Sequence, residues 1–259
     1  MKTKNTHIFW TLLLTIFIAA LACRLLTQQQ PAFADIEPIT QRKQTFIQYL
    51  RPYIERSNLQ ILKKRSMLLE LKQHYTDRGE ISNADLKHIK EYCIDTKLDC
   101  PESDIIGSID KLLVQTDIVP PSLALAQAAM ETGWGTSRFS AEGNNFFGQW
   151  CYEKGCGLVP YRRDSGAKHE VRTFNNPQGS VDAYMDNLNT VKSYRKLRTI
   201  RTEKRDQNLI FTGHELAEGL TGYSATGQQY VKNIRKIIKS NNLEQYDADF
   251  WNRYPVNKH

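Results

Sequence analysis

The residue best placed to do chemistry in this chain is Glu131, within the stretch Ala126-Gln127-Ala128-Ala129-Met130-Glu131-Thr132-Gly133-Trp134-Gly135. Small apolar residues led by Ser122, after Pro120-Pro121, predict a helix, because a serine at a helix start can cap free backbone N–H groups. Gly133 predicts its end, since glycine readily takes the left-handed conformation that closes helices. Glu131 then falls in the last turn, where the negative end of the helix dipole disfavours a further negative charge. Among Met130, Trp134 and small apolar neighbours, its carboxyl should keep its proton to a higher pH than usual. That suits a general acid, which must still be protonated near neutral pH. A lone glutamate near a helix end is more often a solvated surface residue, so its surroundings have to carry the argument.

The elements that must position Glu131 are mostly helical. Phe46, Ile47, Leu50, Tyr53 and Ile54 recur at three and four, as do Ile61, Leu62, Met67, Leu68 and Leu71, which predicts helix over 40–76. Asp77-Arg78-Gly79 breaks that run. Ser82 should cap a helix through Tyr92, and Pro101-Glu102 should start another through Val114. From Phe146 to Phe174 the helical period disappears, and an irregular β-hairpin region is expected. Helices resume near Gly179 and continue, with breaks, through Leu197, Ala217 and Ile238. The plan is a mainly α, α+β domain: helices, a small β-lobe beside the helix that carries Glu131, and an N-terminal helical extension read as a packing subdomain. The expected boundaries are 35–104 for the N-terminal helical region, 105–242 for the catalytic domain and 243–259 for a C-terminal tail.

Four short motifs in a fixed order give this plan an identity. The stretch 126–135 resembles the helix-ending Glu-Ser/Thr-Gly-Trp-Gly motif of bacterial glucosaminidases that cut peptidoglycan, and Asn144-Asn145-Phe146-Phe147-Gly148 is similar to that family's Asn-Leu-Phe-Gly turn. Val171-Arg172-Thr173-Phe174, followed by Ser180-Val181-Asp182-Ala183-Tyr184, resembles its Phe-Arg-x-Tyr strand and the helix after it. Gly222-Tyr223-Ser224-Ala225-Thr226 before Tyr230 resembles its Gly-Tyr-Ala-Thr segment, with one extra residue between the tyrosines. Cys151 and Cys156 after the Phe-Gly turn, with Asp117-Ile118-Val119-Pro120 before the helix, point to the family's Bax-like subgroup. The resemblance covers about residues 105–240 and implies a lysozyme-like fold.

Glycoside hydrolysis needs an acid on the leaving oxygen and a means of stabilising positive charge at the sugar carbon. Glu131 fits the first role. For the second, many glucosaminidases carry a glutamate early in the β-lobe, but here Pro160 and Tyr161 fall near that position. The available carboxylates are Glu153, Asp164 and Glu170, of which Glu170 sits beside the matching strand. An inverting enzyme would need it about 6.5–9.5 Å from Glu131. Otherwise it is a strand residue paired with Lys168 or Arg172. The alternative is substrate assistance by the sugar's own N-acetyl oxygen, with Tyr223 orienting that group, a role the resemblance supports. Trp134 and Phe147 are expected to support the helix end or to stack on sugar. Asn145 is expected to bind the polymer through its amide, and Gly148 and Tyr230 complete the expected substrate-binding set.

Residues 1–34 read as an export signal: Lys2 and Lys4 precede an uncharged run from Ile8 to Ala22, and Ala32-Phe33-Ala34 offers a small-x-small cleavage site. Lipoprotein processing at Cys23 is the second possibility and a retained anchor the third, so membrane contact is expected only through these. Removing Lys2, Lys4 and Arg24 lowers the formal charge from +7 to +4, which argues against nucleic acid as a partner. The basic run 195–205 reads as the solvated face of a helix. Cys93, Cys100, Cys151 and Cys156 then remain in two close pairs, which in an exported chain predicts disulfides Cys93–Cys100 and Cys151–Cys156. Their spacing lacks metal-site patterns, and no metal or cofactor is expected; His169 and His214 are isolated polar positions. The leading reading is an exported, monomeric hydrolase of the peptidoglycan glycan, working in the periplasm or envelope and cutting after N-acetylglucosamine. Its rivals are a weakly catalytic wall-binding module and a muramidase or lytic transglycosylase.

Overall fold

The computed structural model describes residues 29–161, 163, 166–224 and 226–255. Most of the expected export signal, with Cys23, lies outside them, as do Asp164 and Ala225. Among the described residues no helix is long and apolar enough to cross a membrane.

From Phe33 onward the described residues form one compact unit. Its helices are α1 (Ile39–Arg78), α2 (Asn83–Thr96), α3 (Ile105–Gln115), α4 (Pro121–Thr132), α5 (Arg138–Gly143), α6 (Pro177–Thr190), α7 (Arg195–Asp206), α8 (Gly213–Leu216), α9 (Gln228–Ser240) and α10 (Glu244–Arg253). Between α5 and α6 lies a small antiparallel sheet of β1 (Trp150–Cys151), β2 (Gly157–Leu158) and β3 (Glu170–Arg172), ordered β1-β3-β2. β3 pairs with both neighbours, Trp150 opposite Val171 and Gly157 opposite Arg172. This is the mainly α, lysozyme-like arrangement with a β-lobe. Both disulfides are formed: Cys93–Cys100 closes the loop after α2, and Cys151–Cys156 closes the turn between β1 and β2.

Helix α4 is the hub. All of Pro121–Ala129 is buried, and α1, α8, α9 and α10 pack around it. Alanines at Ala124, Ala126, Ala128 and Ala129 let these neighbours come close from every side. Gly213 shows how close: a Cβ there would lie 2.1 Å from Ser122 Oγ. The start of α4 differs from expectation. Ser122 does not cap the helix; its N–H and hydroxyl instead donate to the two carboxylate oxygens of Asp247 on α10, at 2.8 and 2.6 Å. The expected C-terminal tail is thus mostly a helix whose Phe250 and Trp251, with Leu243 just before it, lie in the main core.

Helix α1 joins that core through Phe46, Leu50 and Ile54, while its C-terminal half contributes Leu68 to a second cluster with Ile89, Cys93, Ile109 and Leu112. The predicted break after 76 is a left-handed Gly79. Ser82 caps α2 by accepting from Asp85 N–H, but α3 starts at Asp104, which accepts from Gly107 N–H, rather than at Pro101-Glu102. Phe33 is also part of the core, edge-on to Phe46 and Tyr49. A chain cut after Ala34 would lose that ring.

The basic run on α7 is not a solvated face. Arg198, Arg201 and Arg205, spaced at three and four, are buried on one side of the helix. Arg198 donates to the Leu188 and Val191 carbonyls at the end of α6, and Arg201 to those of Val114, Asp117 and Ile118 around the end of α3. Helix C-termini present carbonyls without partners, and arginine supplies both donors and positive charge there. Arg205 grips Asp117 with two bonds, at 2.9 and 2.6 Å, and Arg65 of α1 lies 3.6 Å from the same carboxylate. Burial alone would raise the pKa of Asp117, but Arg65, Arg205 and Arg201 outweigh it and hold the group well below the carboxylate range. This cluster ties α1, α3 and α7 to the segment that enters α4.

Candidate active site

Glu131 sits at the end of α4, which closes at Gly133 with φ 58° as the sequence predicts. It opens onto a cleft of about 500 Å³ lined by Phe147, Gly148, Gln149, Trp150, Asn187, Tyr194, Tyr223 and Ser224. Glu131 is exposed where it faces the cleft, but the protein packed around its carboxyl still penalises the charged form and raises its pKa. A hydrogen bond from the Tyr230 hydroxyl to Oε1, at 3.0 Å, acts in the opposite direction without cancelling the effect. Glu131 thus has the environment of a proton donor. The other carboxyl oxygen, Oε2, lies toward Gly148, where an added Cβ would stand 3.2 Å away; Gly148 also has φ 64°. A side chain there would be strained and would crowd the carboxyl.

Tyrosines surround the acid. Tyr223 stacks on Tyr230 at 5.2 Å between ring centres and meets Tyr194 at 5.9 Å. Its hydroxyl donates to the Phe147 carbonyl at 2.8 Å, which pins the 222–224 loop to the Phe-Gly turn. Behind them a buried chain of polar groups runs inward: Gln127 Nε2 donates to Tyr230 Oη at 3.0 Å, and Tyr184 Oη donates to Gln127 Oε1 at 2.7 Å.

Residues 108–243 match the glucosaminidase family, described as mannosyl-glycoprotein endo-beta-N-acetylglucosaminidase. Among curated relatives, the protein bax of Escherichia coli (strain K12) is 31% identical over 202 residues, covering 78% of this chain and 70% of the relative. The chain belongs to the glucosaminidase family. It is also similar to the exo-glucosaminidase LytG of Bacillus subtilis (strain 168), 26% identical over 148 residues, 56% of this chain and 52% of that protein. No solved structure matches. The part matched to the glucosaminidase family contains Glu131, the β-lobe, Tyr223 and Tyr230. Helix α1, which packs directly on α4, lies outside it.

The structure brings only some of the expected site residues of this glucosaminidase domain together. Glu131, Phe147, Gly148 and Tyr223 line the cleft. Tyr230 is buried behind Tyr223, in contact with the acid rather than on the substrate wall. Trp134 turns to the other side of the helix end, edge-on to Phe46 at 5.8 Å and beneath the Lys43 ammonium at 5.0 Å, so it supports the turn. Phe147 lines the cleft from a buried ring stacked on Tyr184 at 3.8 Å.

Asn145 is not available to a polymer. Its Nδ2 donates to the Gln149 and Arg172 carbonyls, and its Oδ1 accepts from Phe147 and Gln149 N–H, so the amide is spent on holding the turn to the β-lobe. Glu170 is likewise committed. Its oxygens accept from Gly155 and Gly157 N–H at 3.1 and 2.9 Å, which lowers its pKa, and it does not line the cleft. It is paired with neither Lys168 nor Arg172 in a salt bridge among the described residues; it clamps the disulfide-closed turn.

Sequence reading missed Gln127, Tyr184, Asn187, Gln149, Tyr194, Trp150 and Ser224. Trp150 is 56% exposed at the cleft edge, with its other face stacked on His169 at 4.1 Å. Both amide atoms of Gln149 lack a partner among the described residues. The one available signal for the inner residues was spacing: Gln127 lies one helical turn before Glu131, on the same face.

Proposed function

We propose that this protein hydrolyses the β-1,4 glycan of peptidoglycan after N-acetylglucosamine, with Glu131 as the general acid. The observation that carries this reading is a carboxyl, biased toward its protonated form, at the centre of a cleft walled by tyrosines and amides. Glu131 delivers its proton to the glycosidic oxygen as the bond to the sugar carbon breaks.

No second carboxylate lines the cleft among the described residues, which favours substrate assistance. In that route the acetamido oxygen attacks the anomeric carbon, and water then opens the cyclic intermediate. The Tyr223 ring orients the acetamido group, and its hydroxyl, whose proton goes to the Phe147 carbonyl, can accept from the acetamido N–H. The exposed Trp150 ring at the cleft edge is the group free to stack on a sugar face. The two disulfides support work in an oxidising compartment outside the cytoplasm.

Incubation with purified sacculi, followed by mass spectrometry of the new ends, tests the reading. New reducing N-acetylglucosamine ends are expected. Reducing N-acetylmuramic acid ends would make it a muramidase, anhydro ends a transglycosylase, and sacculus binding without new ends a wall-binding module.

A further inference from the structure

We infer that Gln127 and Tyr184 are positioning residues which, through Tyr230, place the transferable proton of Glu131 on Oε2, the oxygen beside Gly148 at the cleft. The inference rests on the proposed role of Glu131 as acid.

The argument is a count of donors and acceptors. A tyrosine hydroxyl has one proton to donate, and a glutamine amide has donors only on nitrogen and acceptors only on oxygen. Tyr184 is 1% exposed, and its hydroxyl proton goes to Gln127 Oε1. The Gln127 nitrogen must then face Tyr230 Oη, to which it can only donate. Tyr230 therefore cannot give its proton to Gln127, and gives it to Glu131 Oε1. The carbonyl oxygen of a protonated carboxyl is its stronger acceptor, so a bond accepted at Oε1 favours the acid proton on Oε2. Reversing the amide would leave the buried Tyr184 hydroxyl without an acceptor, a costly arrangement. It would also free Tyr230 to donate to Gln127, letting the Glu131 proton settle on the inward oxygen, away from the substrate.

The other groups facing Glu131 do not compete for this role. They are tyrosines from three places: Tyr184 on α6, Tyr194 just before α7 and Tyr223 in the 222–224 loop. Burial raises the pKa of each, so they stay neutral across the working range. Tyr184 is held in register by its stack on Phe147, so Tyr184→Phe removes the hydroxyl while leaving the packing in place.

The test combines kinetics with a readout that needs no substrate. The pKa of Glu131 is measured by carboxyl carbon NMR in the wild type, Tyr184→Phe, Tyr230→Phe and the double variant. Turnover on soluble uncrosslinked glycan strands is measured alongside, and thermal melts establish that each variant folds. Losing the Tyr230 bond removes a stabiliser of the carboxylate, so the pKa should rise in Tyr230→Phe and also in Tyr184→Phe, with no further rise in the double variant. Correspondingly, kcat should fall roughly tenfold in Tyr184→Phe with KM unchanged, and the alkaline limb of the pH profile should move to higher pH. A Tyr184→Phe protein with wild-type Glu131 pKa and pH profile would overturn the inference. Full turnover in Glu131→Gln would instead remove the acid assignment, and the NMR comparison would still report on the relay.

Discussion

Two glutamates beside glycine turns show how one residue type is turned to opposite ends. Glu170 in the β-lobe receives two backbone N–H groups, from Gly155 and Gly157, and its pKa is lowered. Glu131 at the end of α4, facing the cleft, receives one tyrosine hydroxyl beside a cluster of tyrosine rings, and its pKa is raised. Backbone donors stabilise charge, so Glu170 becomes a fixed anion that closes a loop. Partial burial with few donors destabilises charge, so Glu131 becomes a group willing to keep a proton. The number and kind of donors separate a structural carboxylate from a chemical one more reliably than proximity to a motif.

The largest effect that tests this contrast is on turnover. Glu131→Gln should lower the rate on glycan strands by roughly 10²–10⁴-fold, whereas Glu170→Gln should leave it within a small factor. A drastic loss in Glu170→Gln with a folded β-lobe would make it the missing base and reverse the contrast. Next in size is Tyr223→Phe, which should reduce kcat by about tenfold with little change in KM, because its contribution is greatest in the transition state. Unchanged turnover there would confine Tyr223 to pinning the Phe147 carbonyl.

Stability should split the two glutamates by sign. The lowered pKa of Glu170 means that its contribution is fully present above the ordinary carboxylate range and is lost as pH falls through its folded value. Glu170→Gln should therefore lower Tm at neutral pH, with the gap closing in acid. The raised pKa of Glu131 means that the folded state takes up its proton first, so stability falls as pH rises between the ordinary and the folded value. Glu131→Gln should match or exceed wild-type Tm at neutral pH, as expected where an active group is held at a cost. A melting series from acid to neutral pH on both variants measures this, and parallel curves would contradict it.

The smallest effect concerns the turn that Glu170 clamps. Replacing Cys151 and Cys156 by serine opens only a short loop, so the loss through unfolded-state entropy should be about 2 kcal/mol. Chemical denaturation reads it, and a much larger loss would mean that the disulfide, rather than Glu170, holds the β-lobe.

Much of the fold was legible because its signals are local. The three-and-four spacing from Phe46 to Leu71, the breaker at Gly79 and the cap at Ser82 act within a turn or two, and each stands where periodicity puts it. Misreadings came where a partner lies far along the chain. Ser122 looks like a cap until Asp247, 125 residues away, takes its protons. The α7 arginines look solvated until the ends of α3 and α6 arrive with bare carbonyls. Asn145 offers an amide for sugar until the adjoining turn and the β-lobe claim all its bonds.

The sequence by itself determined the helix that ends at Gly133 with a glutamate in its last turn, the order of the four motifs and the pairing of the cysteines, because each depends on residues close together in the chain. Only the tertiary structure decided which groups face that glutamate. Gln127 shares its helix face, but Tyr184 and Tyr230 come from helices 57 and 103 residues further on than Gln127. A hydrogen bond has a direction that no spacing encodes until the atoms meet. The same meeting turned Glu170 away from the cleft and into a loop: two glycine N–H groups reached it first, and a carboxylate so satisfied has no reason to face the substrate.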